Sequence, residues 1–273
     1  MKFKLRLVIM VFLIIFTLYP LTTYSAKNYS FGIFTSSDSC DLNKFLKYKE
    51  IVVDATIFSK EDIDYLHENG VKVFSYINIG SLEKFRPYYE DFASITLSNY
   101  ENWSNERWID VSNPKWQNYV VNTLSKDLFS KGIDGLFIDN IDIYTIYKKD
   151  KIFNGIHCIL KTLNDKYKKP IIINNGYDFI QKALSLKLNL TDLFYGLNKE
   201  EVFTIIENYE NDIFRTNILE ERNFVLSYLN TLSKKGINIY IIEYSKNKNL
   251  NKKMIKYYNK KNYKFFISST VNL

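Results

Sequence analysis

Short apolar runs alternate with helical segments along this chain, eight times over, and that rhythm predicts a single (β/α)8 TIM barrel. Eight runs read as strands, at 31–34, 51–55, 71–78, 135–139, 170–174, 192–196, 237–243 and 263–268. No long polar linker, repeat or low-complexity stretch divides them, and a domain over residues 26–273 has the usual size of such a barrel. A doubly wound sheet fits the rhythm second best, but G-x-G-x-x-G and the Walker phosphate loop are both absent.

The first 25 residues stand apart from that domain. Lys2, Lys4 and Arg6 precede an apolar run from Leu7 to Leu18, and Pro20 and small polar residues follow through Ser25, which is the order of a secretory signal peptide. Thr23 and Ser25 suit cleavage before Ala26. The run is short for a span of about 20 residues, and an uncleaved anchor attaching the chain to a membrane is the alternative. Either way the expected location is secreted or associated with the cell envelope.

Within the domain, "FGIF" and "IVVDA" are the first two strands. Ser59, with Asp62 three residues on, then forms a near capping box for a helix that ends at Gly70, directly before "VKVFSYIN". In "NPKWQNYVVNTLSKDLFSKG", Asn113 caps, Pro114 takes the favoured first helical position, and Trp116, Tyr119, Val120, Leu124 and Leu128 share one face. The strand "GLFID" follows, then "PIIIN" and "DLFYG". "RNFVLSYLNTLSKKG" stops at Gly236 before "INIYIIE", and the lysine-rich "SKNKNLNKKMIKYYNKKNYK" reads as a helix with a solvated basic face before "YKFFIS".

Composition excludes several kinds of chemistry. The +7 charge is spread over helices and carries no nucleic-acid motif, so nucleic acid is not an expected partner. Cys40 and Cys158 lack metal-ligand spacing and read as separate thiols, with Cys158 in a helix core. His67 and His157 are the only histidines, too few for a zinc site or a Ser-His-Asp triad, and no metal or cofactor is expected. The chain is expected to be a monomer.

Barrel chemistry sits at the C-terminal ends of the strands. Those ends carry Asp54, Tyr76, Asn78, Asp139, Asn174, Glu200, Glu201 and Glu243, with Asp142 and Tyr244 close by. Acids and amides on one rim suit glycoside hydrolysis, in which one carboxyl protonates the leaving oxygen and a second attacks or activates water. Asp139 stands out because it ends the continuously apolar run Leu136-Phe137-Ile138. Asp54 reads equally well as a helix cap, and Asp142 as an N-cap-like acid. Tyr76, Trp103, Trp108, Tyr144, Tyr177 and Tyr244 fall near strand ends, where aromatic faces can pack on sugar rings.

"VKVFSYINIGSLEKFRPYY", "WIDVSNPKWQNYV" and "KGIDGLFIDNIDIY" together resemble glycoside hydrolase family 114, known for endo-α-1,4-polygalactosaminidase activity. The resemblance implies an exported TIM-barrel hydrolase of an amino-sugar polysaccharide. It implies Asp139 as one catalytic carboxyl and, in "NKEEVFT", Glu201 as the other, with Glu200 its close competitor. Asp54, Tyr76, Asn78, Asp142, Asn174, Glu200, Glu243 and Tyr244 are then substrate-binding. Two departures from the family pattern imply altered preference or reduced activity: Glu243-Tyr244 where relatives have an aspartate before Tyr, and "NIGSLE" where relatives often have Gly-Glu. The alternatives are a carbohydrate-binding barrel that has lost turnover and, more weakly, a metal-dependent deacetylase.

Overall fold

The computed structural model describes residues 29–101 and 103–273; the leader read over residues 1–25 lies outside them. Eight parallel strands form the barrel: β1 (Gly32–Phe34), β2 (Glu50–Val53), β3 (Lys72–Asn78), β4 (Gly135–Asp139), β5 (Ile171–Asn174), β6 (Gly196–Glu200), β7 (Asn238–Tyr244) and β8 (Lys264–Ser268). They are hydrogen-bonded in that order, and the seam between β8 and β1 is packed by Phe266 against Phe34, 5.3 Å apart and edge-on. Among the described residues no helix is long and apolar enough to cross a membrane.

Seven strands lie within two residues of their expected places, but the sixth does not. The apolar "DLFYG" is a short 3-10 turn, Leu190–Asp192, and a lead-in loop whose Leu193 and Phe194 are buried, while the strand itself is "GLNKE". A strand with Asn198 and Glu200 on one face lacks the apolar run that announced the others.

Side chains alternate between two cores. Val52, Phe74, Phe137, Ile172, Tyr240, Ile242 and Tyr244 fill the barrel interior. Their strand neighbours Val53, Val73, Leu136, Ile138, Ile173, Leu197 and Ile241 face the helix layer. Gly196 keeps the interior open beside Tyr240, whose ring would lie 2.8 Å from any Cβ placed there.

The helices form for local reasons legible in the chain. Ser59 and Asp62 make the capping box of α1 (Lys60–Glu68), and Asn113 caps α2 (Pro114–Tyr119) with Pro114 leading. A π-helical stretch at Val120–Leu124 joins α2 to α3 (Ser125–Ser130). In α4 (Asp150–Tyr167) the buried face is Ile152, Phe153, Gly155, Ile156, Ile159, Leu160 and Leu163. Cys158 falls on the opposite face, so it is exposed and not in the core as expected; Cys40 and Cys158 are both free thiols. The other long helices are α5 (Tyr177–Ser185), α6 (Leu219–Lys234) and α7 (Lys248–Lys261), the last being the basic helix, and single turns lie at Leu42–Phe45, Tyr89–Phe92 and Ile143–Ile146.

Two insertions crown the C-terminal end. After β3 the chain makes a three-stranded antiparallel sheet, Ser81–Glu83, Thr96–Asn99 and Glu106–Ile109. After β6 it makes a hairpin, Thr204–Asn208 with Ile213–Thr216.

Candidate active site

Interior-facing residues at the strand ends meet in a cleft of about 510 Å³, a common size for a ligand site. On β4, β5 and β6 the last residue faces in, and the next turns the backbone sharply out. Asn140, Asn175 and Glu201 have φ of 61°, 54° and 59°. This left-handed region suits asparagine but strains a glutamate. The exits leave Asp139, Asn174 and Glu200 side by side.

Asn174 joins the two acids through one nitrogen. Its Nδ2 donates to Asp139 Oδ1 at 2.9 Å and to Glu200 Oε1 at 2.7 Å, while its Oδ1 accepts from Asn198 Nδ2 at 2.7 Å, which fixes the orientation of the amide. Asp139 also accepts from the Asn140 N–H at 2.7 Å and from the Tyr76 hydroxyl at 3.1 Å. Glu200 Oε2 accepts from the Tyr244 hydroxyl at 2.8 Å. Three donors thus serve Asp139 and two serve Glu200.

Burial and neighbouring donors act on both acids. Burial raises the Asp139 carboxyl above its ordinary range, and the donors from Asn174, Asn140 and Tyr76 all draw it back. Burial also raises Glu200; the charge of Asp139 pushes it further up, while the Asn174 amide, the Tyr244 hydroxyl and the Lys199 ammonium draw it down. Two buried carboxyls this close resist carrying two negative charges together, so the pair favours a single one.

The surrounding wall is strongly acidic. Asp54, Glu83, Glu106, Asp139, Asp142, Glu200 and Glu201 line the cleft, against one guanidinium, Arg86. Arg86 is buried and bridges Glu83 to Asp54, whose carboxylate also caps Thr56. Asp54 thus combines the cap and the cleft-wall roles. Glu106 is pushed up to about 7, chiefly by burial, although Ser81 and Asn78 donate to it. Asp142, raised to about 6 by burial, accepts from the Gly176 N–H at 3.1 Å. Among the described residues no cluster of three or more His, Cys, Asp or Glu is arranged to hold a metal ion.

Several expected residues stand apart from the Asp139–Asn174–Glu200 group. Glu201 Oε1 accepts from the Ile206 N–H, and its side chain holds the hairpin at the cleft edge rather than Asp139. Asn78 is buried beneath the wall, bonded to Ser81 and Glu106. Glu243 faces the helix layer, out of the cleft, because it follows Ile242, which faces in. It accepts from the Phe203 and Thr204 N–H groups at 2.7 and 3.0 Å and from the hydroxyls of Thr204 and Tyr258. Its extra methylene reaches these donors and not the cleft.

The second departure is local too. Gly80 lets the loop after β3 close on the loop after β4, where a Cβ would lie 1.9 Å from the Asn140 carbonyl oxygen, and the Ser81 hydroxyl beside it donates to Glu106. Trp108 is buried and stacks on Tyr100 at 4.4 Å, Tyr144 is buried, and Trp103 lines the cleft. Glu83, Arg86, Glu106 and Tyr209 were not anticipated. The first three lie within or beside the quoted "SLEKFRPYY" and "WIDVSNPKWQNYV", but nothing local shows that an insertion folds them back over the strand ends.

Trp103 and Tyr209 meet edge-to-face, their ring centroids 6.0 Å apart. One belongs to the insertion after β3 and the other to the hairpin after β6, and both line the cleft, so the two insertions touch at its edge.

The sequence profile of glycoside-hydrolase family GH114 matches residues 26–271. No curated protein sequence matches the chain. Among solved structures, the glycoside hydrolase domain of PelA from Pseudomonas aeruginosa superposes with a TM-score of 0.73 at 17% identity, covering 89% of this chain and 95% of that one. Aspergillus fumigatus Ega3, solved in complex with galactosamine, gives 0.67 at 18% identity, with 92% and 95% covered. Bacillus licheniformis trehalose-6-phosphate hydrolase gives 0.53 at 13% identity, with 79% and 57% covered. At such identities these likenesses establish the barrel fold.

Proposed function

This chain belongs to glycoside-hydrolase family GH114, and on that premise we propose that it cleaves within an α-linked, polygalactosamine-like polysaccharide, with Asp139 as nucleophile and Glu200 as acid and base. Glu200 takes the role that the sequence pattern offered to Glu201. The observation that carries the reading is the single Asn174 nitrogen bonded to both acids. Two oxygens sharing one donor at these distances lie closer than the roughly 6.5 to 9.5 Å of an inverting pair and fit the about 5 Å of a retaining one.

Asp139 keeps a lone pair on Oδ2 for the anomeric carbon, while Asn174, Asn140 and Tyr76 hold its charge in place. Glu200 gives its proton to the departing glycosidic oxygen as the C–O bond breaks and the Asp139–sugar ester forms. It then takes a proton from the water that hydrolyses the ester, which returns both groups to their starting states. The acidic wall supports a cationic amino sugar, and its field acts inside the cleft despite the basic exterior. Ega3, with galactosamine bound, points the same way. The basic, apolar and small-residue order of residues 1–25 supports export.

The test is incubation of the domain with galactosaminan, glucosaminan and neutral glycans, reading new reducing ends, product masses and product anomer. Galactosamine oligomers released as the α-anomer, and lost in Asp139→Asn and Glu200→Gln, are expected. Cleavage surviving either substitution would remove that residue from its role, and saturable binding without new ends would make the chain a binding barrel.

A further inference from the structure

The two ends of the barrel carry opposite charge. In the cleft, at the C-terminal end, seven carboxylates face one guanidinium. Because the eight strands run parallel, every turn from a helix into a strand lies at the other end. Lysine pairs occupy three of those turns: Lys168 and Lys169 before β5, Lys234 and Lys235 before β7, and Lys260 and Lys261 before β8. Lys49 directly precedes β2, and Lys72 opens β3. All eight are exposed, and among the described residues none is ion-paired.

The acids at this end do not balance them. Glu50, Asp134 and Asp165 are engaged by Lys264, His67 and Lys161, which leaves Glu68, Asp127 and Asp192 exposed against the eight lysines. A helix C-terminus favours a cation, which accounts for Lys234, Lys260 and Lys261 but not for Lys49, Lys72 and Lys169, which lie beyond any helix. Two tyrosines stand among the lysines, Tyr29 just before β1 and Tyr195 directly before β6, 53% and 42% exposed. Lysine and exposed tyrosine together suit a surface that meets lipid headgroups. The chain also enters here: Tyr29 pairs with Tyr48 at the N-terminal edge of the sheet, so the apolar run of residues 7–18 joins the barrel on this face, away from the cleft.

We propose that this N-terminal face docks on a membrane of anionic phospholipid, with its lysines on the headgroup phosphates, its two tyrosines at the interface and the cleft turned away. The charge separation sets the orientation, since the same surface attracts the basic end and repels the acidic one. Each lysine beside such a surface strengthens binding by about fivefold, and the attraction fades beyond about 8–10 Å in physiological salt. The cleft then stays open on the side away from the lipid.

The test takes the chain from Ala26 onward, which holds all eight strands and both cores but not the apolar run, and measures its sedimentation with vesicles of phosphatidylglycerol or of phosphatidylcholine. Binding to phosphatidylglycerol alone, lost at about 0.5 M salt, is expected. The combined reversal Lys168→Glu, Lys169→Glu, Lys234→Glu and Lys235→Glu should weaken it by about a hundredfold or more while the protein still unfolds cooperatively. A polarity-sensitive fluorophore should shift on binding when carried by Lys169→Cys, and stay unshifted when carried by Cys40 in the loop that leaves the cleft end of β1, each as the single thiol of the chain. Equal binding to both vesicles, binding to neither, undiminished binding by the reversed variant, or a shift at Cys40 alone would overturn the proposal. Tighter binding of soluble polyphosphate than of the vesicles would overturn it too, making the face a polyanion site.

Discussion

Glu200 and Glu243 sit at the ends of hydrogen-bonded neighbours, β6 and β7, and each accepts from a tyrosine hydroxyl, yet they are different objects. Four donors from Phe203, Thr204 and Tyr258 saturate Glu243, whose carboxylate pins the loop after β6 to α7. Two donors meet Glu200, and its remaining capacity opens on the cleft. A buried carboxylate's fitness for chemistry is read from the lone pairs its neighbours leave unused.

The largest break of that contrast is kinetic. Glu200→Gln should lower kcat by about a thousandfold or more on galactosaminan while the thermal midpoint holds or rises. A Glu200→Gln enzyme of near wild-type kcat would erase the distinction. Glu243→Ala should do the reverse, costing about 3–5 kcal/mol in urea unfolding because two backbone N–H groups and two hydroxyls lose their acceptor. Full stability with a collapsed kcat would place Glu243 among the reacting groups.

Glu106 sharpens the comparison through pH. Its folded pKa of about 7 lies above its ordinary value, so the folded state binds the extra proton and stability falls as pH rises from about 4.5 through 7. Glu106→Gln should flatten that fall, seen as a smaller loss of Tm between pH 5 and 8; an unchanged slope would assign it to other groups. The smallest effect is at Glu201. Glu201→Asn relieves a strained φ of 59° but gives up the bond to the Ile206 N–H, so stability should move by about 1 kcal/mol or less and kcat by less than tenfold. A loss as large as that of Glu200→Gln would return the catalytic role to Glu201.

The barrel was legible because seven of its strands are apolar on both faces and punctuated by capped helices, signals that are local in the chain. The same property concealed the facing of the strand ends. When both faces are apolar, nothing in "GLFID" or "INIYIIE" says which alternate residues look inward. Nothing local in the chain therefore tells that Asp139 faces the cleft while Glu243 faces the helices. The sixth strand failed in the opposite way, its inner face being polar where Asn198 and Glu200 build the site, so the apolar lead-in took its place. The Glu83–Arg86–Asp54 chain and Glu106 were hidden because an insertion folds back over the strand ends, a long-range event that spacing does not record.

The Trp103–Tyr209 contact governs how a long glycan gains entry. Both rings line the cleft that holds Asp139, so parting them would widen its mouth. An edge-to-face pair is worth about 0.5–1.5 kcal/mol, so the contact alone holds the two insertions together only about two- to tenfold more often than apart. A link this weak leaves the width of the cleft mouth adjustable.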